Sequence, residues 1–178
     1  MSILKVAKLG NPILRESAGK VPRQEISSRE IQCLIQNMIE TMREYQGVGL
    51  AAPQVHESLQ IIVIEELAGT KGEAETPLTV LVNPSLSVIS ERQFEDWEGC
   101  LSIPDLRGLV PRYEQIEVQG YNPLGQTVRF QARGFYARVI QHECDHLEGK
   151  VFLERMRNLE SLTYLQEFSR YWQKEEEE

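Results

Sequence analysis

The apolar positions of this 178-residue chain change period along its length. Ile31, Leu34, Ile35, Met38, Ile39 and Met42 recur at the 3.6-residue spacing of an amphipathic helix, with Ser27 and Glu30 as a capping box at its start and Gly47 and Gly49 at its end. That stripe predicts core packing. The middle of the chain reads as β: Gln60–Glu65 (QIIVIE) and Leu78–Val82 (LTVLV) are β-branched runs, followed by Leu86–Ile89, Gln115–Tyr121 and Thr127–Gln131. Gly69–Pro77 predicts an exposed loop, and Asn122-Pro123-Leu124-Gly125 a tight turn between the last two strands. A second helix is expected over Phe135–Leu147, stopped by Gly149, and a third over Leu159–Trp172 with Leu162, Leu165, Phe168 and Trp172 on one side. Turn signals in the first twenty-odd residues (Gly10-Asn11-Pro12, Gly19, Pro22) predict an arm lying over the body. The order is helix, strands, helix, helix, and the strands are linked by turns with no crossover helix. The expected class is α+β with antiparallel pairing, in a single domain over 1–178 that ends in a frayed tail at 172–178.

Composition narrows the function. Hydrophobic residues make up 41% and charged residues 26%, as in soluble globular proteins. A net charge of −8 argues against direct nucleic-acid binding. No run of about 18 apolar residues offers a membrane span, and the N-terminus lacks the basic and apolar regions of a secretory signal. Cys33, Cys100 and Cys144 are an odd, low count, the usage of a reduced intracellular protein whose thiolates are available to metals.

The chemistry concentrates in QHECDHLEGK, Gln141–Lys150. His142 and His146 are four residues apart on the second helix, so both imidazoles leave one face, with Glu143 placed as a base. Phe135 and Val139 continue that face inward. A catalytic metal takes three protein groups and keeps a position for water. The HExxHxxGxxH pattern fails here because Phe152 stands where its third histidine would be. Glu160 and Glu167 on the third helix, His56 in a loop, and Cys100 in EGCLSIP (Glu98–Pro104) remain as third ligands. Cys144 lies about 200° round the helix from the histidines and reads as a packed thiol. A thiolate with two imidazoles makes an open site for zinc, ferrous iron, cobalt or nickel.

GVGLAAPQ (Gly47–Gln54), EGCLS and QHECDH, in this order and spacing, resemble the peptide deformylases, which take the formyl group off N-terminal formylmethionine of nascent polypeptides and release formate. The resemblance covers most of the chain and is nearest to the bacterial-type enzymes, including those of plant organelles. It implies that Cys100, His142 and His146 are the metal ligands, with antiparallel sheets packed around the metal-binding helix. It makes Glu143 the general base and acid, and Gln54 and the backbone N–H of Leu101 the donors to the developing oxyanion. By the same resemblance, Gly49 is expected to let the substrate backbone come close. The resemblance further implies Fe2+ in the cell, with Ni2+, Co2+ or Zn2+ able to occupy the site. Formylated nascent peptides are the expected partner, met at the ribosome, in a bacterial cytoplasm or in an organelle stroma or matrix.

The chemistry is coherent on its own terms: a three-ligand metal acidifies water, and Glu143 takes the proton as that water attacks the formyl carbon, then delivers it to the leaving amine. An apolar pocket for the methionine side chain is expected from Phe135, Val139 and Val48, with the stem of Arg138 at its rim. Asp145 beside His146 can orient an imidazole, but adjacent helix positions diverge by about 100°, so a solvated aspartate is expected. Two other readings are kept: an HExxH endopeptidase using Glu160 or Glu167 in place of Cys100, and a metal-stabilised binding module in which Glu143 only packs.

Overall fold

The computed structural model describes residues 2–66 and 76–173. Helix α1 (Arg29–Glu44) is capped by Ser28, whose Oγ accepts the Ile31 N–H at 3.3 Å. Ser27 is therefore not the cap. α1 also stops before Gly47, because Tyr45 closes it and Gln46 turns to a φ of 54°; Gly49 instead opens strand β1 (Gly49–Ala51). A 3-10 turn, Ala52–Val55, leads on toward β2 (Ile61–Glu66).

The separate runs expected through the middle are two long strands, β3 (Thr76–Cys100) and β4 (Ile103–Tyr121), followed by β5 (Thr127–Arg133). Residues 69–75 of the expected loop lie outside the described residues, while Pro77 is already in β3. β3 and β4 shift register at several points, and each bulge restarts the inside–outside alternation, so one strand reads as several short ones. The sheet order is β1-β2-β3-β4-β5, every pairing antiparallel as expected, and β6 (Thr163–Tyr164) adds to the far end of β4.

Alternation across the inner strands divides the core. Leu50, Ile61, Val63 and Val82 face the α1 stripe of Ile31, Ile35, Met38, Ile39 and Met42. Ala51, Ile62, Ile64, Leu81, Ile116 and Val118 face the other way, onto Ala137, Val139, Ile140 and Leu147 of α2 (Gly134–Leu147). α2 is the central helix, buried on nearly every side. Gly149 ends it at a φ of 72°, and an ideal β-carbon there would sit 2.6 Å from the Arg15 carbonyl, so conformation and close approach both require glycine.

The expected third helix is shorter. α3 spans only Leu165–Tyr171, after a turn at Leu159–Leu162 and strand β6. None of its residues is buried. Apolar spacing alone overstated it, because the contacts that hold it are few: Phe168 and Trp172 meet Trp97 at ring distances of 4.9 and 5.6 Å. Trp172 is therefore docked, and 174–178 of the expected tail lie outside the described residues.

Candidate metal centre

Three elements converge on α2. The β3–β4 hairpin turns at Leu101-Ser102, with Cys100 and Ile103 as its last pair, and so presents Cys100 at its tip. α2 supplies His142 and His146 from adjacent turns of one face. One ligand atom from each of Cys100, His142 and His146 lies within 4.8 Å of the others, and all three side chains are buried. Cys100 Sγ is 3.3 Å from His146 Nε2. His56, Glu160 and Glu167 are not in this group.

The donor set fits a divalent metal. His142 Nδ1 is 2.8 Å from Glu98 Oε2, which leaves Nε2 as its free face. Burial alone would hold the Cys100 proton on, yet His146 and His142 outweigh it and bring the thiol well below its ordinary pKa. The same proximity raises His142: burial works against the imidazolium, but Cys100 and Glu98 more than offset it. A thiolate and two imidazoles in so dry a place are a softer set than calcium or magnesium prefers, and one suited to zinc, iron, cobalt or nickel.

Glu143, next to His142 on α2, is 4% exposed, with Oε2 lacking a hydrogen-bond partner among the described residues. Burial pushes its carboxyl up to about 7. Gly49 makes room for it. An ideal β-carbon at position 49 would lie 2.9 Å from Glu143 Cγ, so the close neighbour of this glycine is the carboxylate side chain. Gln54 is also buried. Its Oε1 accepts the Ala51 N–H at 2.8 Å, which fixes the amide so that Nε2 points to Cys100 Sγ (3.4 Å) and Ser102 Oγ (3.1 Å). Gln54 thus stands against the Cys100–Ser102 turn, and Glu143 against Gly49.

Sequence reasoning missed Glu98. It accepts His142, a bidentate pair from Arg112 (2.9 and 3.0 Å) and Arg138 Nη1 (2.7 Å), all buried. Burial opposes its charge, but bonds from His142 and Arg112 hold the carboxyl below the ordinary range. Glu98 stands inside the EGCLS motif two residues before Cys100. Arg112 shares the inward period-2 face of Val110 in β4, and a charge there needs a partner.

Two expectations are corrected. Asp145 is not solvated: it is buried between Arg112 (2.5 Å) and Arg155, because other elements surround α2 away from the ligand face as well. Arg138 is not at a pocket rim: only 2% exposed, it bonds Glu98, the Val110 carbonyl (2.7 Å) and the Phe94 carbonyl (2.8 Å). Phe152, in the failed third-histidine position, is buried with its ring stacked 6.3 Å from His142. Cys144 packs against the second core cluster, and burial raises its thiol pKa, so it is a poor nucleophile. Val48 is exposed, Phe135 half-buried and Val139 buried.

Known proteins match this arrangement across most of the chain. The polypeptide deformylase family model matches residues 3–162. Peptide deformylase 1 of Bordetella pertussis is 44% identical over 161 residues, 89% of this chain and 90% of the relative. Chloroplastic peptide deformylase 1A of Solanum lycopersicum is 37% identical over 162 residues, 85% of this chain and 58% of that protein. A class I type b peptide deformylase from Acinetobacter baumannii, solved with Met-Ala-Ser bound, superposes with a TM-score of 0.83 at 39% identity, covering 87% of this chain and 99% of that one. The chain belongs to the polypeptide deformylase family, metal-dependent hydrolases that remove the N-formyl group from nascent chains.

Proposed function

We propose that Cys100, His142 and His146 hold one divalent metal and that Glu143, Gln54 and Leu101 carry out deformylation around it. The observation that carries this reading is the convergence of three donor atoms within 4.8 Å beside the buried carboxylate of Glu143, whose Oε2 has no hydrogen-bond partner among the described residues. When bound, the metal supplies Lewis acidity that makes water a nucleophile near neutral pH. Fe2+ is the proposed metal in the cell, with Ni2+, Co2+ or Zn2+ able to take its place.

Glu143 accepts the proton of the attacking water and returns it to the leaving amine. A carboxyl raised to about 7 suits both directions of that transfer. Negative charge develops on the former formyl oxygen. The Gln54 amide, aimed by the Ala51 N–H, and the Leu101 N–H at the hairpin tip are the donors that stabilise it. Methionine's side chain lies against Val48, Phe135 and Val139. Its backbone runs beside Gly49 on β1, one of the sheet's two edge strands in the order β1–β5. Met-Ala-Ser in the Acinetobacter relative is the peptide class such a site releases.

No helix among the described residues is long and apolar enough to cross a membrane. With bacterial and chloroplastic relatives, we place the enzyme in a bacterial cytoplasm or an organelle stroma or matrix, acting as peptides leave the ribosome. We treat residues 1–178 as one catalytic domain.

The test is formate release from formyl-Met-Ala-Ser by nickel-loaded protein prepared without oxygen, with the acetylated peptide as control. Release from the formyl peptide alone, lost in Cys100→Ser and Glu143→Ala, is expected. Internal peptide cleavage surviving Cys100→Ser would transfer the third ligand to Glu160 or Glu167 and overturn the reading.

A further inference from the structure

The N-terminal arm touches both proposed oxyanion donors, and one of its side chains has no role in the chemistry described so far. Ala7 N–H donates to the Gln54 carbonyl at 2.7 Å, and Leu9 N–H donates to the Ser102 carbonyl at 2.8 Å. The residue between them, Lys8, sends its Nζ to the Leu101 carbonyl at 2.8 Å. Three consecutive arm residues therefore tie the 3-10 turn that carries Gln54 to the hairpin tip that carries Leu101.

Lys8 is well placed to hold that contact. Its backbone is fixed on both sides, by the buried Val6 and Ala7 before it and by the Asn11 N–H, which donates to its own carbonyl at 2.9 Å. Its ammonium also lies 5.8 Å from the Tyr45 ring centroid. The bond to Leu101 is charge-assisted, stronger than a neutral one between the same atoms.

The peptide unit it touches faces Cys100, one of the proposed ligands. The Leu101 carbonyl and the Ser102 N–H belong to one peptide group, and that N–H points at Cys100 Sγ at 3.4 Å. A cation on the oxygen polarises the group and strengthens the N–H as a donor to sulfur. The same contact anchors Leu101, so its own N–H keeps its aim relative to Gln54.

We propose that Lys8 is a positioning residue for deformylation, fixing the Cys100–Ser102 turn so that the Leu101 N–H and the Gln54 amide act on one oxygen. The inference rests on the assignment of those two donors made above. Lys8→Met keeps the aliphatic stem and removes the charge; being exposed, the position tolerates the change without loss of fold. In nickel-loaded enzyme, kcat on formyl-Met-Ala-Ser falls about tenfold at unchanged KM, because the donor that loses its aim, the Leu101 N–H, acts on charge that develops only in the transition state. Lys8→Arg restores most of that rate.

In zinc-loaded protein, the Ser102 amide proton resonance of Lys8→Met moves upfield as its bond to sulfur weakens, a readout independent of turnover. An unchanged kcat with an unchanged Ser102 resonance overturns the proposal. So does a raised KM at constant kcat, which would make Lys8 a contact to the peptide itself. Gln54→Ala is measured alongside. If it leaves kcat unchanged, the donor assignment fails; if it abolishes activity while Lys8→Met does nothing, only the Lys8 inference fails.

Discussion

Glu143 fills the space that a side chain at position 49 would need: an ideal β-carbon on Gly49 would lie 2.8 Å from the Glu143 carboxyl carbon and 2.9 Å from its Cγ. Strand β1 and helix α2 are both embedded in the core, so neither can retreat, and the carboxylate must swing away instead. Gly49→Ala is expected to lower kcat/KM for a formyl-Met peptide by about a hundredfold or more, the usual worth of a positioned general base. Metal content and the melting temperature should change far less. Metal loss in parallel with activity would show that position 49 serves the fold and not the carboxylate.

Glu98 joins His142 to two buried arginines, and its charge is what both cations face. Glu98→Gln keeps the shape and removes the charge. Arg112 retains Asp145, whereas Arg138 is left with backbone carbonyls. Uncompensated burial of this kind costs about 3–5 kcal/mol. Loss of the carboxylate charge behind His142 should also weaken metal binding by about 10–100-fold. Chelator competition and thermal unfolding of the loaded protein measure the two effects separately.

These two residues show what the sequence made legible and what it did not. Local patterns were enough for α1 and α2, because each is amphipathic with a clear period, and for the antiparallel β character of the middle of the chain. HExxH placed both imidazoles on one face, since helical spacing settles that without tertiary information. Glu98 and Arg112 were invisible because an acidic or basic residue in a strand reads as solvent-facing until its register is known. Asp145 was misjudged for a related reason: a rotation of about 100° from the ligand face leads to water only if the helix is covered on one side, and α2 is covered on nearly all. Leu159–Trp172 had a helical stripe, but half of it forms a turn and a strand, because pairing of Leu106 and Arg107 with Tyr164 and Thr163 takes the backbone first.

The Arg43–Glu65 pair ties α1 to β2 by two bonds of 2.6 and 2.7 Å. The hydrogen bond from Arg43 holds the Glu65 carboxyl below its ordinary pKa, against the opposing effect of burial. A carboxyl depressed in the folded state stabilises it above the unfolded pKa, and that contribution fades as pH falls through the folded value. At neutral pH, Glu65→Gln should therefore lower the melting temperature by about 1–3 °C, the scale of a partly exposed pair in a chain of this size. The difference from the unmutated protein should shrink on acidification below about pH 4.5, the unfolded glutamate range. A difference that persists undiminished into that acid range would mean packing of the Glu65 stem, and not its charge, is what the substitution removes.

Arg138 separates a substrate role from a structural one. Its guanidinium stacks 4.5 Å from the Phe94 ring centroid and bonds Glu98 and the strand carbonyls of Phe94, Asp96 and Val110, so it joins α2 to β3 and β4 from inside. Arg138→Met retains the length of the side chain but leaves those carbonyls and part of the Glu98 charge unpaired. The expected loss is about 3 kcal/mol, or about 6–12 °C in melting temperature for a domain of this length. KM for formyl-Met-Ala-Ser should stay within about threefold below the melting transition, because none of the described contacts of Arg138 faces the proposed methionine walls, Val48, Phe135 and Val139. Val139→Ala is the contrasting variant: it enlarges the proposed pocket and should raise KM for formyl-Met peptides. A large KM rise in Arg138→Met at an unchanged melting temperature would restore Arg138 to the substrate site.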